Sequence, residues 1–137
     1  MTGPERPWLA VDAVVFDDIG RVLLIRRKYS PFQGHFALPG GFVELGETTE
    51  AAVLRELKEE TGIDGASPRL IGVYSDPTRD TRHHVVSIAY LVAPKSYDVR
   101  GGDDASDAEF VENWREKSLA FDHDQIISDA LHVAAAR

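Results

Sequence analysis

Glu56, Glu59 and Glu60 stand at i, i+3 and i+4, so on a helix all three leave from one face. Glu56 and Glu60 are like charges one turn apart, which opposes the helix by about 0.2–0.5 kcal/mol. A cluster of hard carboxylate oxygens suits a divalent cation such as Mg²⁺, which takes a few carboxylates and completes its shell with water and substrate phosphate. The same cluster could also be a solvated acidic face. Arg55 is four residues before Glu59, within reach to hold that carboxylate in place.

Such a cluster needs a rigid carrier. From Pro39 to Ile63 the chain reads PGGFVELGETTEAAVLRELKEETGI. Gly40 and Gly41 permit a tight bend and close approach of backbone to a ligand. Thr48 or Thr49 can cap the helix that follows, and Glu47 and Glu50 suit its positive N-terminal end. Ala51 to Thr61 contains neither Gly nor Pro, and Gly62 is placed to end the helix. Val53, Leu54 and Leu57 cover an adjoining arc that can face a core.

Gly41, Glu47, Arg55, Glu56, Leu57, Glu59, Glu60, Gly62 and Ile63 occupy every defined position of the pattern Gly-x5-Glu-x7-Arg-Glu-U-x-Glu-Glu-x-Gly-U, with U aliphatic. The chain therefore resembles the Nudix hydrolases. The resemblance implies an α/β/α sandwich with a mixed central sheet. It also implies hydrolysis of a nucleoside diphosphate linked to another group, with Mg²⁺ or Mn²⁺ as cofactor. By the same analogy Glu56, Glu59 and Glu60 bind the metal, often with the Gly40 carbonyl, while Arg55 and Glu47 orient the helix acids.

The 137 residues suffice for one domain with a real core, and residues 1–137 are read as that domain, with 1–6 a flexible lead. Hydrophobic content of 43% and charged content of 28% fit an ordinary globular protein. The absence of cysteine excludes disulfides and thiolate metal sites. A net charge of −8 argues against broad nucleic-acid binding, so an anionic substrate must be met by local cations or metal. The N-terminus lacks the apolar run of a signal peptide, and no stretch approaches the roughly 20 apolar residues of a membrane helix. A cytoplasmic protein is expected, and the resemblance suggests a homodimer.

Along the chain, Trp8 to Phe16 reads as a strand, with Arg21 to Arg27 returning as the second arm of a hairpin. Arg26 and Arg27 sit at its end, and Arg27 is a candidate phosphate contact. Residues 63–68 read as a loop, Arg69 to Tyr74 as a strand, and His84 to Val92 as a central buried strand. The polar loop between these two strands carries Asp76, Arg79, Arg82 and His84. Read functionally, its arginines reach phosphate and Asp76 reaches ribose hydroxyls. Tyr74-Ser75-Asp76-Pro77, then Arg79-Asp80, Arg82 and His84, is similar to the loop of the ADP-ribose pyrophosphatases, although Thr81 and His83 stand where Pro and Gly are commoner. Asp103, Asp104, Asp107 and Glu109 form an acidic turn from which many Nudix enzymes bring a further carboxylate. Phe110 to Trp114 reads as a short strand and Ala120 to Ala136 as a final helix. His123 and His132 are read as structural or exposed.

Hydrolysis of a diphosphate requires neutralised phosphate oxygens and an activated water. The general base is expected among Glu56, Glu60 and the acids of 103–109. ADP-ribose, giving AMP and ribose 5-phosphate, is the expected substrate. The alternatives are a nucleoside triphosphate, oxidised nucleotide, dinucleoside polyphosphate, nucleotide sugar or NADH. A non-catalytic ADP-ribose-binding regulator is the alternative of a different class.

Overall fold

The computed structural model describes residues 5–100 and 107–136. Among the described residues, seven strands and two α-helices form an α/β fold in which the strands divide between two sheets. Strands β1 (Trp8–Val14), β4 (Gly40–Phe42), β5 (Gly65–Tyr74) and β6 (Val85–Pro94) form one, in the order β4-β1-β6-β5. It is mixed: β1 and β6 run parallel, while β1–β4 and β5–β6 are antiparallel. Strands β2 (Val22–Arg26), β3 (Phe36–Ala37) and β7 (Ala108–Val111) form the second sheet, in the order β3-β2-β7.

The expected hairpin therefore closes only at its turn. Phe16 bridges to Val22 and the Leu23 amide donates to the Val15 carbonyl, but β1 and β2 then pass into different sheets. Strand β5 begins at Gly65, inside the expected loop, because pairing with Pro94 and Ala93 carries it through an irregular stretch between Ala66 and Arg69.

Alternation along β1 divides the core. Val11, Ala13 and Val15 pack with Ala52, Val53 and Leu57 of helix α1 (Thr49–Thr61). Val14 faces the other way, with Ile126, Ile127 and Ala130 of helix α2 (His123–Ala135). Two helices thus cover opposite faces of one sheet. Thr48 caps α1 by accepting from the Ala51 amide at 3.0 Å, and Gly62 closes it at φ 77°. Leu57 is wholly buried, so Leu57→Ala would cost about 2–5 kcal/mol and loosen the seat of α1. Positions 1–4 of the expected flexible lead lie outside the described residues, while the Arg6 carbonyl accepts from Nε2 of His83 at 2.7 Å.

Candidate functional site

The glycine pair sits in strand β4, where Gly40 lies opposite Asp12 and Gly41 opposite Val11. Neither needs a positive φ; what they supply is room. A β-carbon on Gly40 would strike the Val11 carbonyl and lie 2.5 Å from Oδ1 of Asp12. On Gly41 it would lie 2.6 Å from the carboxyl carbon of Glu56. The strand contributes no side chain here, so the helix carboxylates lie directly against its backbone.

The helix acids are held individually. Oε1 of Glu60 accepts the Gly40 N–H at 2.7 Å. Arg55 is the hub of the others. Its Nε and Nη2 donate to the two oxygens of Glu47 at 2.7 and 2.9 Å, and its Nη1 donates to Glu56 at 2.8 Å and Glu59 at 3.3 Å. Charge-assisted bonding of this kind pulls the Glu47 carboxyl down to about 2. Glu60 goes the other way. Burial, with the charges of Glu56 and Asp12 nearby, pushes it up to about 8 against the Gly40 N–H. Burial also raises Glu56, despite Arg55.

Two desolvated carboxylates that repel each other are short of positive charge, and their oxygens are hard donors that fit Mg²⁺ or Mn²⁺. Glu59 is placed differently. Its side chain is 54% exposed and turned toward Arg55. Among the described residues no three acidic or histidine side chains are drawn together tightly enough to enclose an ion. The carboxylates aimed at the glycine pair are Glu56 and Glu60.

Beside Glu60 opens a cleft lined by Asp12, Arg27, Gly40, Arg79, Asp80, Arg82, Phe121 and His123, among others. Arg27 donates from Nε to the Pro31 carbonyl at 2.7 Å, and its guanidinium lies 4.9 Å from the Phe121 ring centre. Burial and the neighbouring Arg82 charge lower its affinity for its proton. Arg82 lies 5.7 and 5.8 Å from the rings of Phe42 and Phe121. Two cations therefore share one aromatic platform beside an acid.

The loop between β5 and β6 does not present its charges evenly. Arg79 is only 5% exposed and donates to both oxygens of Asp122, at 2.9 and 2.6 Å, so it forms part of the cleft wall. Asp76 accepts from the amide and hydroxyl of Thr78, bracing the loop from within, and His84 donates to the Ser75 carbonyl. Neither Asp76 nor His84 lines the cleft. Asp107 and Glu109 are exposed, Glu109 on β7 opposite Leu24, and neither lines the cleft. Asp103 and Asp104 lie outside the described residues.

Sequence reasoning missed the part that four residues play here. Asp12, almost buried in β1, accepts from the Ser87 hydroxyl at 2.5 Å and lies 3.5 Å from Nε2 of His123. His123 is not an idle core histidine: its Nδ1 accepts the Leu38 N–H at 3.0 Å. Phe121 and Asp122 meet Arg27, Arg82 and Arg79 as described. One signal was available, since Asp12 is an acid two residues from Val14 on a core-facing stripe, where a charge requires a partner.

Comparison with known proteins places this architecture. The chain belongs to the NUDIX domain family, which matches residues 6–134. It is 51% identical over 123 residues to an ADP-ribose pyrophosphatase of Methanocaldococcus jannaschii, covering 90% of this chain and 72% of that protein. A MutT/nudix family protein from Enterococcus faecalis superposes with TM-score 0.89 at 32% identity, over 100% of this chain and 65% of that one. The NUDIX domain of Shewanella oneidensis NrtR, complexed with ADP ribose, superposes with TM-score 0.87 at 30% identity, over 95% and 90% of the two chains. The chain spans only 56% and 53% of the length of two further relatives. No helix among the described residues is long and apolar enough to cross a membrane.

Proposed function

We propose that the protein is a divalent-cation-dependent pyrophosphohydrolase that cleaves ADP-ribose to AMP and ribose 5-phosphate. The observation that carries this reading is the meeting, in one cleft, of the half-buried Glu60 carboxyl with the guanidinium groups of Arg27 and Arg82. Similarity to the Methanocaldococcus jannaschii ADP-ribose pyrophosphatase and to an ADP-ribose-bound NUDIX domain supports the choice of substrate.

In this reading Glu56 and Glu60 would hold Mg²⁺ or Mn²⁺, with Glu59 at the rim and the Gly40 carbonyl as a further candidate donor on β4. Bound there, the cation supplies Lewis acidity and an acidified water. The Gly40 N–H occupies Oε1 of Glu60, so Oε2 would be the oxygen available to a cation. Arg27 and Arg82 take up phosphate charge, which grows on the oxygens as the reaction proceeds. Water attacks one phosphorus, the bridging P–O bond breaks, and the second phosphate leaves as a monophosphate. The proton lost by water passes to a carboxylate, Glu56 or Glu60. Arg79 supports this wall through Asp122, and Asp76 and His84 shape the loop behind it. The reading extends to a homodimer, checked by light scattering of the purified protein, and to a cytoplasmic location, checked by cell fractionation.

The test is product analysis on ADP-ribose, NADH and dGTP with Mg²⁺, with Mn²⁺ and with EDTA. AMP and ribose 5-phosphate from ADP-ribose, abolished by EDTA, is the expected result. Preferred hydrolysis of dGTP would overturn the substrate. Tight ADP-ribose binding without turnover would favour a sensor, a reading prompted by the 33% identity to an ADPR responsive transcriptional repressor of Acinetobacter baylyi.

A further inference from the structure

The corner where the chain enters α2 touches three separate parts of the cleft. The Phe121 ring lies beneath Arg27 and Arg82, the Asp122 carboxylate clamps Arg79, and His123 takes the Leu38 amide. Phe121 holds φ 53°, a left-handed conformation that a bulky aromatic residue adopts at a cost. Asp122 precedes the helix yet makes no side-chain cap bond, because Arg79 occupies its carboxylate. The corner forgoes local comfort for contacts across the cleft.

His123 has the most specific geometry. Leu38 can only donate, so Nδ1 must be the unprotonated nitrogen. Nε2 then carries the proton and points toward Oδ1 of Asp12, which is itself fixed by Ser87. All three side chains are almost wholly buried. From Leu38 the backbone runs directly into the glycine pair. The Pro39 carbonyl accepts from the Ala13 amide at 2.8 Å, and the Gly40 amide reaches Glu60.

We propose that His123 is a positioning residue for the cation-binding acids. By accepting the Leu38 N–H it fixes the turn through Pro39, and that turn delivers the Gly40 N–H to Glu60. The role as a cation site rests on the function proposed above; the mechanical link does not. Ser87 and Asp12 fix the ring orientation that leaves Nδ1 free to accept, as a second layer of hydrogen bonds does for ligating groups.

The experiment compares wild type, His123→Leu and His123→Asn by amide hydrogen exchange in the metal-free protein, then by Mn²⁺ affinity. Asparagine keeps an acceptor near the Nδ1 position and leucine does not. In His123→Leu, exchange at both Leu38 and Gly40 should quicken by about tenfold or more, the scale of one lost hydrogen bond. Val14 and Ala89 amides report whether the core remains intact. His123→Asn should restore protection at both sites, and Mn²⁺ affinity should fall in the leucine variant and recover in the asparagine variant. Faster exchange at Leu38 with Gly40 unchanged would overturn the proposal. So would equal loss of protection at Gly40 and throughout the core, or a failure of asparagine to rescue a folded protein. A wild type that binds no Mn²⁺ would instead sink the cation-dependent function, while the amide pattern still decides the positioning role.

Discussion

Gly41 lies so close to Glu56 that a β-carbon there would sit 2.6 Å from the carboxyl carbon. The atom in the way is the end of a flexible side chain, so Gly41→Ala can be accommodated by moving Glu56 and not the fold. Turnover should drop by about 100-fold, the scale of a 1 Å misplacement, with little change in melting temperature. Kinetics and thermal melts on the same preparation check this. Unchanged turnover would mean that Glu56 is not needed where it stands.

The Glu60 carboxyl, pushed up to about 8, makes the stability of the metal-free protein depend on pH. Its folded value exceeds its unfolded one, so its stabilising contribution is complete at low pH. It is lost as pH rises from the ordinary glutamate range through about 8. In EDTA, melting temperature should fall by several degrees between about pH 6 and about pH 9. Glu60→Gln should flatten that slope. A wild-type slope equal to that of Glu60→Gln would refute the assignment.

Glu56→Gln and Glu60→Gln should each stay folded and lose turnover by orders of magnitude, because the amide keeps the shape and removes the charge that a divalent cation requires. Circular dichroism separates the two effects. Activity near wild type in both variants would remove the acids from the proposed site.

The two loop arginines should part company. Arg82 is 36% exposed and Arg79 is 5% exposed. Arg82→Ala should lower kcat/KM for ADP-ribose by about ten- to hundredfold, the worth of a charge-assisted hydrogen bond. As an exposed loop charge it would also be expected to cost little stability. The structure revises that expectation, because its partner Asp80 is 2% exposed and would lose its counter-charge. Arg82→Ala together with Asp80→Asn should therefore recover stability but not activity. Arg79→Ala should unfold more readily than either, since Arg79 is itself buried in the wall and its loss leaves a void as well as breaking both bonds to Asp122. Equal melting temperatures for the Arg79 and Arg82 variants would contradict this difference.

What could be read from the sequence was local. Helix α1 was legible because cap, propensity, acid spacing and terminal glycine all agree within 15 residues, from Thr48 to Gly62. Strands β3 and β4 were not, because two or three residues carry no periodicity and their pairing with β2 and β1 is decided elsewhere in the chain. The start of β5 was hidden by Gly65 and Pro68, which read as loop punctuation. The box acids follow from a helix repeat. The corner at Phe121–His123 does not, because its partners are 85 residues away at Leu38 and 43 away at Arg79.

The Arg79–Asp122 clamp bears on how such a cleft can be re-engineered. A recognition loop transplanted into this scaffold from a relative would bring its own residue at position 79, but the counter-charge would stay behind at 122. Loop and helix corner are one heritable unit, and chimeras that exchange residues 75–84 should fold best when residues 121–123 travel with them.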